Sequence, residues 1–152
     1  MPTSIGWFSH CLRHYAQFSG RASRREYWWF QAVVWIVNLI LHMLGYEIPL
    51  VAGILTIIWN FGVVIPHLAV ASRRLHDSGQ SFWWIVPPIG GWALLAIGAV
   101  VRGHGSAASI GGLLLILLLA WLGVVAGFVY LLCKPGNDGL NRYGGPAPTA
   151  PN

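Results

Sequence analysis

Residues 110–133 read IGGLLLILLLAWLGVVAGFVYLLC and contain no charged side chain. A helix of about 20 residues, rising about 1.5 Å per residue, crosses a hydrocarbon layer of about 30 Å. Three stretches of the same character precede this one in the chain, at residues 28–46, 50–71 and 82–101. A helix in lipid satisfies its own backbone polar groups, so the pattern predicts an all-α bundle of four transmembrane helices.

The composition favours the same class of protein. Hydrophobic residues make up 56% of the 152-residue chain and charged residues 9%, whereas charged residues make up about 25% of a typical soluble domain. Tryptophans occur at the start of the first and third apolar stretches, at Trp28, Trp29, Trp83 and Trp84. Indole rings favour the headgroup level of a bilayer, so these positions are typical of span ends.

The basic residues predict the orientation of the spans. With four spans, the N-terminus, the 72–81 loop and the C-terminal tail share one side, and that side holds eight of the nine Lys and Arg residues: Arg13, Arg21, Arg24, Arg25, Arg73, Arg74, Lys134 and Arg142. The other side holds Arg102. This asymmetry predicts that both termini are cytoplasmic. The net charge of +5 then indicates contact with anionic lipid and not with nucleic acid, because the basic groups lie beside the membrane.

The chain divides into three parts: residues 1–19, a membrane domain at 20–134, and an irregular cytoplasmic tail at 135–152 that is rich in Gly and Pro. In the first part, Ile5, Phe8, Leu12 and Tyr15 recur at spacings of three, four and three. Such an amphipathic helix is too polar to span and is suited to lying in the membrane interface. A short helix packed on the end of the bundle explains the pattern equally well. No signal peptide is expected, because the first 27 residues lack an uninterrupted apolar core.

Four polar side chains fall inside the predicted spans. Asn38 and Asn60 lie near the middle of the first two spans, which a very short turn makes antiparallel neighbours. An interhelical hydrogen bond between them is the favoured interpretation, and a substrate site is the alternative. Gln31 and His67 lie near the inner end of the same spans, where a structural hydrogen bond is the favoured role of His67.

The third span has an unusual sequence, with Pro87-Pro88 followed by Gly90-Gly91. Proline removes a backbone donor and clashes with the preceding turn of a helix. The sequence therefore predicts a kinked or broken third span, although no charged or amide side chain is available there to line an ion site.

The most polar segment is the loop 72–81, SRRLHDSGQS. Its Asp77 is expected to form a structural ion pair with Arg24, Arg25 or Arg142. Contact of the loop with lipid or a partner is an alternative, because arginine at a helix end can bind phosphate through two parallel hydrogen bonds. Acid–base catalysis by His76 and Asp77 is the least favoured, since adjacent side chains rarely point the same way.

Other motifs assign structural roles or exclude chemistry. Ser23 and Glu26 have the S-x-x-E spacing of a capping box before the first span. The two cysteines, Cys11 and Cys133, both fall on the predicted cytoplasmic side, where a disulfide is not expected. No metal-binding, phosphate-loop or dinucleotide motif occurs in the sequence, so we expect neither a cofactor nor a metal.

Three motifs together resemble a known family. They are FSGRASRREYWW at 18–29, RRLHDSG at 73–79 followed by Trp83-Trp84, and Pro135-Gly136 followed by NRYG at 141–144. In this order they resemble domain of unknown function family 805, which consists of small bacterial inner-membrane proteins. The resemblance implies a multi-span protein of the bacterial inner membrane and brings no activity, substrate or catalytic residue. Residues 137–140 depart from the family pattern as an insertion before Asn141.

All three motifs lie on the predicted cytoplasmic face, where we expect them to form one polar cap. The predicted cap residues are Arg21, Arg24, Arg25, Arg73, Arg74, His76, Asp77, Asn141, Arg142 and Tyr143. The first functional hypothesis is a non-enzymatic membrane module that binds anionic lipid, a membrane-protein partner or a second copy of itself through this cap. The second is a small transporter or channel subunit that uses Asn38, Asn60 and His67. A lipid-headgroup enzyme that uses His76 and Asp77 is the third.

Overall fold

The computed structural model describes residues 4–102 and 107–147, and this part of the chain is helical apart from its connections and tail. The described helices are α1 (Ser4–Arg13), α2 (Arg24–Glu47), α3 (Pro49–Asp77), α4 (Val86–Arg102) and α5 (Ala107–Cys133), with a 3-10 turn at Phe82–Ile85 before α4. The prediction of an all-α fold is confirmed, and four long helices are compatible with the predicted bundle.

The helices α2 and α3 form an antiparallel hairpin with Ile48 alone between them. The helix α2 begins where extended Ser23 accepts a hydrogen bond from the Glu26 amide at 3.2 Å, which satisfies one of the free donors of the first turn. The helix α3 begins with Pro49, whose fixed φ suits a first helical residue. The short turn thus makes the two helices neighbours, as the sequence predicts.

The helices α4 and α5 form a second pair. The helix α4 runs without interruption from Val86. Pro87 and Pro88 therefore lie in its first turn, where backbone amides have no acceptor within the helix and a residue without an amide hydrogen is tolerated. The sequence predicted a kinked or broken span; α4 has no break at these residues, and a kink stays a prediction. The indole of Trp121 in α5 donates to the Pro88 carbonyl at 3.0 Å, and a Cβ at Gly91 would collide with that indole. The small residues serve close packing of α5 on α4.

The first helix packs on the end of α2 and α3. Trp7 and Cys11 of α1 are buried, and the Phe8 ring stacks on Phe30 with 5.5 Å between centroids. Beyond the helix, the Tyr15 hydroxyl donates to the Gly62 carbonyl of α3 at 2.6 Å. One face of α1 is thus covered by protein, while Leu12 on another face stays exposed.

Three helical segments of the described chain are long and apolar enough to cross a membrane: α2, α3, and residues Leu114–Cys133 of α5, with mean hydropathy 1.5, 1.9 and 2.6. The helix α4 is apolar and has 17 residues, about 26 Å at about 1.5 Å per residue. Large apolar side chains on these helices, such as Trp35, Ile58 and Phe61, are exposed. Exposed apolar surface of this extent is typical of helices that face lipid.

The buried core lies at one end of the bundle, where α2 begins, α3 ends and α5 ends. Phe30, Val70, Leu75 and Leu132 are each at most 2% exposed there. Charged side chains are buried at the same end, so the best-packed part of the molecule is also its most polar.

Candidate functional site

The candidate site lies at the C-terminal end of α3, where a glycine turn ends the helix. Gly79 has φ +77°, in the left-handed region that favours glycine, and its amide donates to the His76 carbonyl at 3.0 Å. Gly20, with φ +89°, turns the connection between α1 and α2 across this end, where the Ala22 amide donates to the Arg73 carbonyl at 3.0 Å. This crossing brings the first two motifs of the sequence together.

We call five buried charged residues at this end the ion-pair cluster; they are Arg21, Glu26, Arg73, Arg74 and Asp77. Within it, Asp77 binds two arginines. Arg21 donates from Nε at 2.8 Å and lies with Nη2 at 2.7 Å from Oδ1, while Arg74 donates from Nη1 to Oδ2 at 2.7 Å. All three side chains are at most 6% exposed.

Asp77 forms a buried ion pair, as predicted, but the predicted partners Arg24, Arg25 and Arg142 are wrong. Arg24 and Arg25 lie on the first turn of α2 with their side chains exposed, and Arg142 donates to the Gly79 carbonyl at 3.2 Å. The reason is geometric: Arg21 precedes α2, on the connection that crosses α3, whereas the next two arginines are on an outer face of the helix.

The two arginines of Asp77 also hold the end of α5 and the tail. Arg74 donates to the carbonyls of Leu132, at 2.9 Å, and Lys134. Arg21 donates to the carbonyls of Gly139, at 2.7 Å, and Asn137. A cation at a helix C-terminus satisfies the last carbonyls and favours the helix dipole. The first part of the tail is therefore docked through the carbonyls of Asn137 and Gly139.

Gly136 entered the sequence analysis only as part of a family motif, and the structure shows that it permits this docking. A Cβ at that position would collide with the Asp77 carboxylate, and the next amide, of Asn137, donates to the Asp77 carbonyl at 3.0 Å. The Pro135-Gly136 motif thus brings the tail backbone against α3.

The last motif packs on His76. The Asn141 amide group donates to the His76 carbonyl at 2.9 Å, and the Tyr143 ring stacks on the imidazole with 3.8 Å between centroids. The guanidinium of Arg142 lies over the Tyr143 ring, 4.7 Å from its centroid. His76 Nδ1 is 3.2 Å from the Gly20 carbonyl, to which it donates. His76 and Asp77 therefore engage different partners, and this arrangement gives no support to acid–base catalysis.

Glu26 forms the second centre of the ion-pair cluster. Its carboxylate is fully buried and accepts from Arg73 Nη1 at 2.6 Å and from Cys11 Sγ at 3.6 Å. His10 Nδ1 lies 3.4 Å from the same oxygen without a hydrogen bond. Only the backbone half of the predicted capping box is present, because the carboxylate turns inward to Arg73. The three motifs contain more arginines than acidic residues. This composition was the signal in the sequence for a pair between Glu26 and an arginine.

The surroundings of Glu26 perturb two groups of α1. Burial raises the pKa of the Cys11 thiol to about 12, and the nearby Glu26 carboxylate adds to the effect. Burial also lowers the pKa of His10, although Glu26 acts in the opposite direction. Cys11 is therefore a protonated thiol and His10 a neutral imidazole at neutral pH.

Arg24 and Arg25 border a different surface, which we call the tryptophan groove; its lining residues are Arg24, Arg25, Trp28, Trp29, Ala32 and Cys133. The groove has a volume of about 640 Å³. Neither arginine forms an ion pair with another described residue, and Trp29 is 43% exposed. Free basic groups here stand beside exposed indole surface.

The polar residues inside the helices lie apart from this end or form local contacts. Asn60 Nδ2 donates to Asn38 Oδ1 at 3.3 Å, which is the predicted interhelical bond. Gln31 is buried with no hydrogen-bond partner for its Oε1, and the His67 ring is 6.3 Å from that of Phe30. Among the residues that the structure describes, no group of three His, Cys, Asp or Glu side chains is placed to hold a metal ion.

Comparison with known proteins identifies the family. The chain belongs to the family described as protein of unknown function DUF805, whose model matches residues 15–145. It is 34% identical over 142 residues to inner membrane protein YhaI of Escherichia coli (strain K12), covering 91% of this chain and 92% of that protein. It is 37% identical over 100 residues to inner membrane protein YhaH of the same strain, covering 61% and 83%. No solved structure matches the chain.

The family predicted from the three motifs is thus confirmed, and with it the class of inner-membrane protein with apolar helices. The relatives' names state a location and no activity.

Proposed function

We propose that the protein is a non-enzymatic module that spans the membrane four times, with both termini cytoplasmic, and binds anionic lipid headgroups at the tryptophan groove. The proposal narrows the expected binding surface from the whole polar cap to two of its arginines. It rests on one observation: Arg24 and Arg25 are exposed and unpaired among the described residues, beside the indoles of Trp28 and Trp29.

The three buried arginines of the cap are engaged in holding the molecule together. Arg21 and Arg74 bind Asp77 and backbone carbonyls, and Arg73 binds Glu26. Moving these side chains from their carboxylates to a lipid would leave buried carboxylates without partners, which is strongly destabilising. Free arginines at a span end, each contributing about 1 kcal/mol of attraction to an anionic surface, carry no such cost.

The aromatic residues support a lipid as the ligand of the groove. Indole rings favour the headgroup region, where one edge meets apolar chains and the N–H meets water or a polar headgroup. Arginine binds phosphate oxygens through two parallel hydrogen bonds. An anionic phospholipid combines both features in one molecule.

Cys133 allows this proposal to be tested without knowing the physiological ligand. Its exposed thiol lines the groove, whereas Cys11 is 1% exposed and has a pKa of about 12, so a neutral maleimide added to the native protein reports on Cys133. We expect phosphatidylglycerol in nonionic mixed micelles to slow the labelling of Cys133 in a saturable way. Phosphatidylcholine at the same concentration should not.

Two sets of variants control this experiment. The double variant Arg24→Gln/Arg25→Gln should lose the protection by phosphatidylglycerol, while Arg142→Gln removes a basic group of the cap outside the groove and should retain it. Equal protection by both lipids, or full protection in the double variant, would contradict the proposal.

The alternative of a small transporter or channel subunit has its support in the Asn38–Asn60 pair. Asn60 is exposed on α3, and polar side chains on a membrane helix are typical of a polar pathway or a helix contact. A transport phenotype that is lost in Asn38→Leu/Asn60→Leu, at normal expression, would favour this alternative.

A further inference from the structure

A second cavity lies at the same end of the molecule and shares no lining residue with the tryptophan groove. We call it the Arg73 cavity. Its volume is about 330 Å³, within the range of small-molecule sites. It is an open pocket lined by the end of α1, the following turn, the end of α3 and the tail at residues 145–146. Its polar lining residues are His10, His14, Gln17, Ser19, Arg21 and Arg73.

Arg73 has unused hydrogen-bonding capacity in this cavity. The side chain is 4% exposed, and its Nη1 donates to Glu26. Its Nε and Nη2 are buried and have no hydrogen-bond partner. Buried charged donors without partners destabilise a folded protein, so a ligand that satisfies them is favoured.

The two free nitrogens define the geometry of the missing partner. Nε and Nη2 form one edge of the guanidinium plane, and their N–H bonds run parallel. Two oxygen atoms of one tetrahedral or carboxylate anion match that edge. The Glu26 carboxylate occupies Nη1 instead, so the free edge is available to a second anion.

The charge of the ion-pair cluster also favours an anion. Its three arginines carry three positive charges, and its two carboxylates carry two negative charges, which leaves one positive charge uncompensated. Arg73 and Glu26 pair one to one, so the excess charge lies with Arg21 and Arg74, which share Asp77. Arg21 also lines the cavity. His10 adds no charge at neutral pH, because burial lowers its pKa.

We propose that the Arg73 cavity binds a phosphate group, held by the Nε–Nη2 edge of Arg73 and by the polar side chains of Gln17 and Ser19 at its exposed rim. The phosphate belongs either to a soluble molecule, such as inorganic phosphate or a phosphate monoester, or to a lipid headgroup. This site is separate from the tryptophan groove and does not depend on the function proposed for it.

Thermal unfolding of the full chain in nonionic detergent, at constant ionic strength, provides the test. We expect inorganic phosphate or glycerol 3-phosphate to raise the melting temperature in a saturable way if the ligand is soluble. Short-chain phosphatidic acid alone should do so if the ligand is a lipid. Chloride at the same ionic strength should have no effect in either case.

Arg73→Lys is the informative variant, because lysine retains the charge beside Glu26 and removes the two-donor edge. Phosphate binding should weaken by about ten- to hundredfold, which is the loss expected for one or two charge-assisted hydrogen bonds. Arg24→Gln/Arg25→Gln should bind phosphate like the original chain, which distinguishes this site from the groove.

Gly145→Leu provides a second route if Arg73→Lys does not fold. Gly145 lines the cavity, and a Cβ there meets no heavy atom within 4 Å, so the larger side chain fills free space and leaves Arg73 in its pair. We expect this variant to fold and to lose the response to phosphate. The proposal is overturned if none of the phosphate compounds raises the melting temperature of the original chain, or if folded Arg73→Lys keeps the full affinity.

Discussion

At the scale of single residues, Asp77 connects three parts of the chain. Its carboxylate binds Arg21 before α2 and Arg74 within α3, and its carbonyl accepts from Asn137 of the tail. Removing one member of a buried ion pair leaves the partner charged and unpaired, at a cost of about 3–5 kcal/mol. We therefore expect Asp77→Ala to lower the free energy of unfolding by about that amount, as measured by thermal unfolding in mild detergent.

Asp138→Ala is the matched control for this prediction, because it also removes one carboxylate from this end of the molecule. Asp138 is exposed in the tail, so we expect the free energy of unfolding of Asp138→Ala to change little. Equal melting temperatures for the two variants would show that Asp77 does not hold these segments together.

At the scale of the helices, the hairpin of α2 and α3 contains one side-chain hydrogen bond between its members at mid-length, from Asn60 to Asn38 at 3.3 Å. Each amide also donates to a carbonyl four residues earlier in its own helix, at 2.9 Å for Asn38 and 2.8 Å for Asn60. Interhelical hydrogen bonds in membranes contribute about 0.6 kcal/mol on average. The contact is therefore expected to contribute modestly to stability.

We expect a double-mutant cycle of Asn38→Leu and Asn60→Leu to give a coupling energy of about 0.6 kcal/mol, with both single variants folded. Unfolding in mixed micelles measures it. Ser9→Ala serves as a control, because its hydroxyl bonds within α1 to Gly6 and should show no coupling to Asn60. A coupling near zero would mean that the two amides act independently in the membrane.

At the scale of the whole molecule, the proposed orientation depends on the asymmetry of the basic residues. Glu47, the last residue of α2, and Asp138, in the tail, lie at opposite ends of the bundle and are exposed, so each is suited to a single-cysteine variant. In a chain whose native cysteines are replaced by alanine, an impermeant maleimide added to intact spheroplasts should label Glu47→Cys. It should label Asp138→Cys after the membrane is opened.

The outcome of this labelling bears on both proposals. If Asp138→Cys reacts in intact spheroplasts, the tail is outside, and the tryptophan groove and Arg73 cavity face away from the cytoplasm. Labelling of both positions in intact spheroplasts would instead indicate an even number of spans between them. The cysteine-free chain with Asp138→Glu provides the background level of labelling.

Much of the fold was predictable from the sequence because it depends on local properties. The apolar stretches predicted helices, since lipid offers no other partner for backbone N–H and C=O groups. The short turn at Ile48 and Pro49 made α2 and α3 neighbours, and the positions of Asn38 and Asn60 then predicted their contact. The three motifs likewise identified the family without reference to the structure.

The tertiary structure decided which charges meet and which remain free. Arg21, Arg24 and Arg25 are almost adjacent in the sequence, yet the first is buried against Asp77 and the other two are exposed. The difference arises because the glycine turn at Gly20 carries Arg21 across α3 before α2 begins. The same packing turned Glu26 from a helix cap to Arg73 and left one edge of that guanidinium free. Pairing over such sequence separations depends on how the helix ends pack, which the spacing of residues within one segment does not encode.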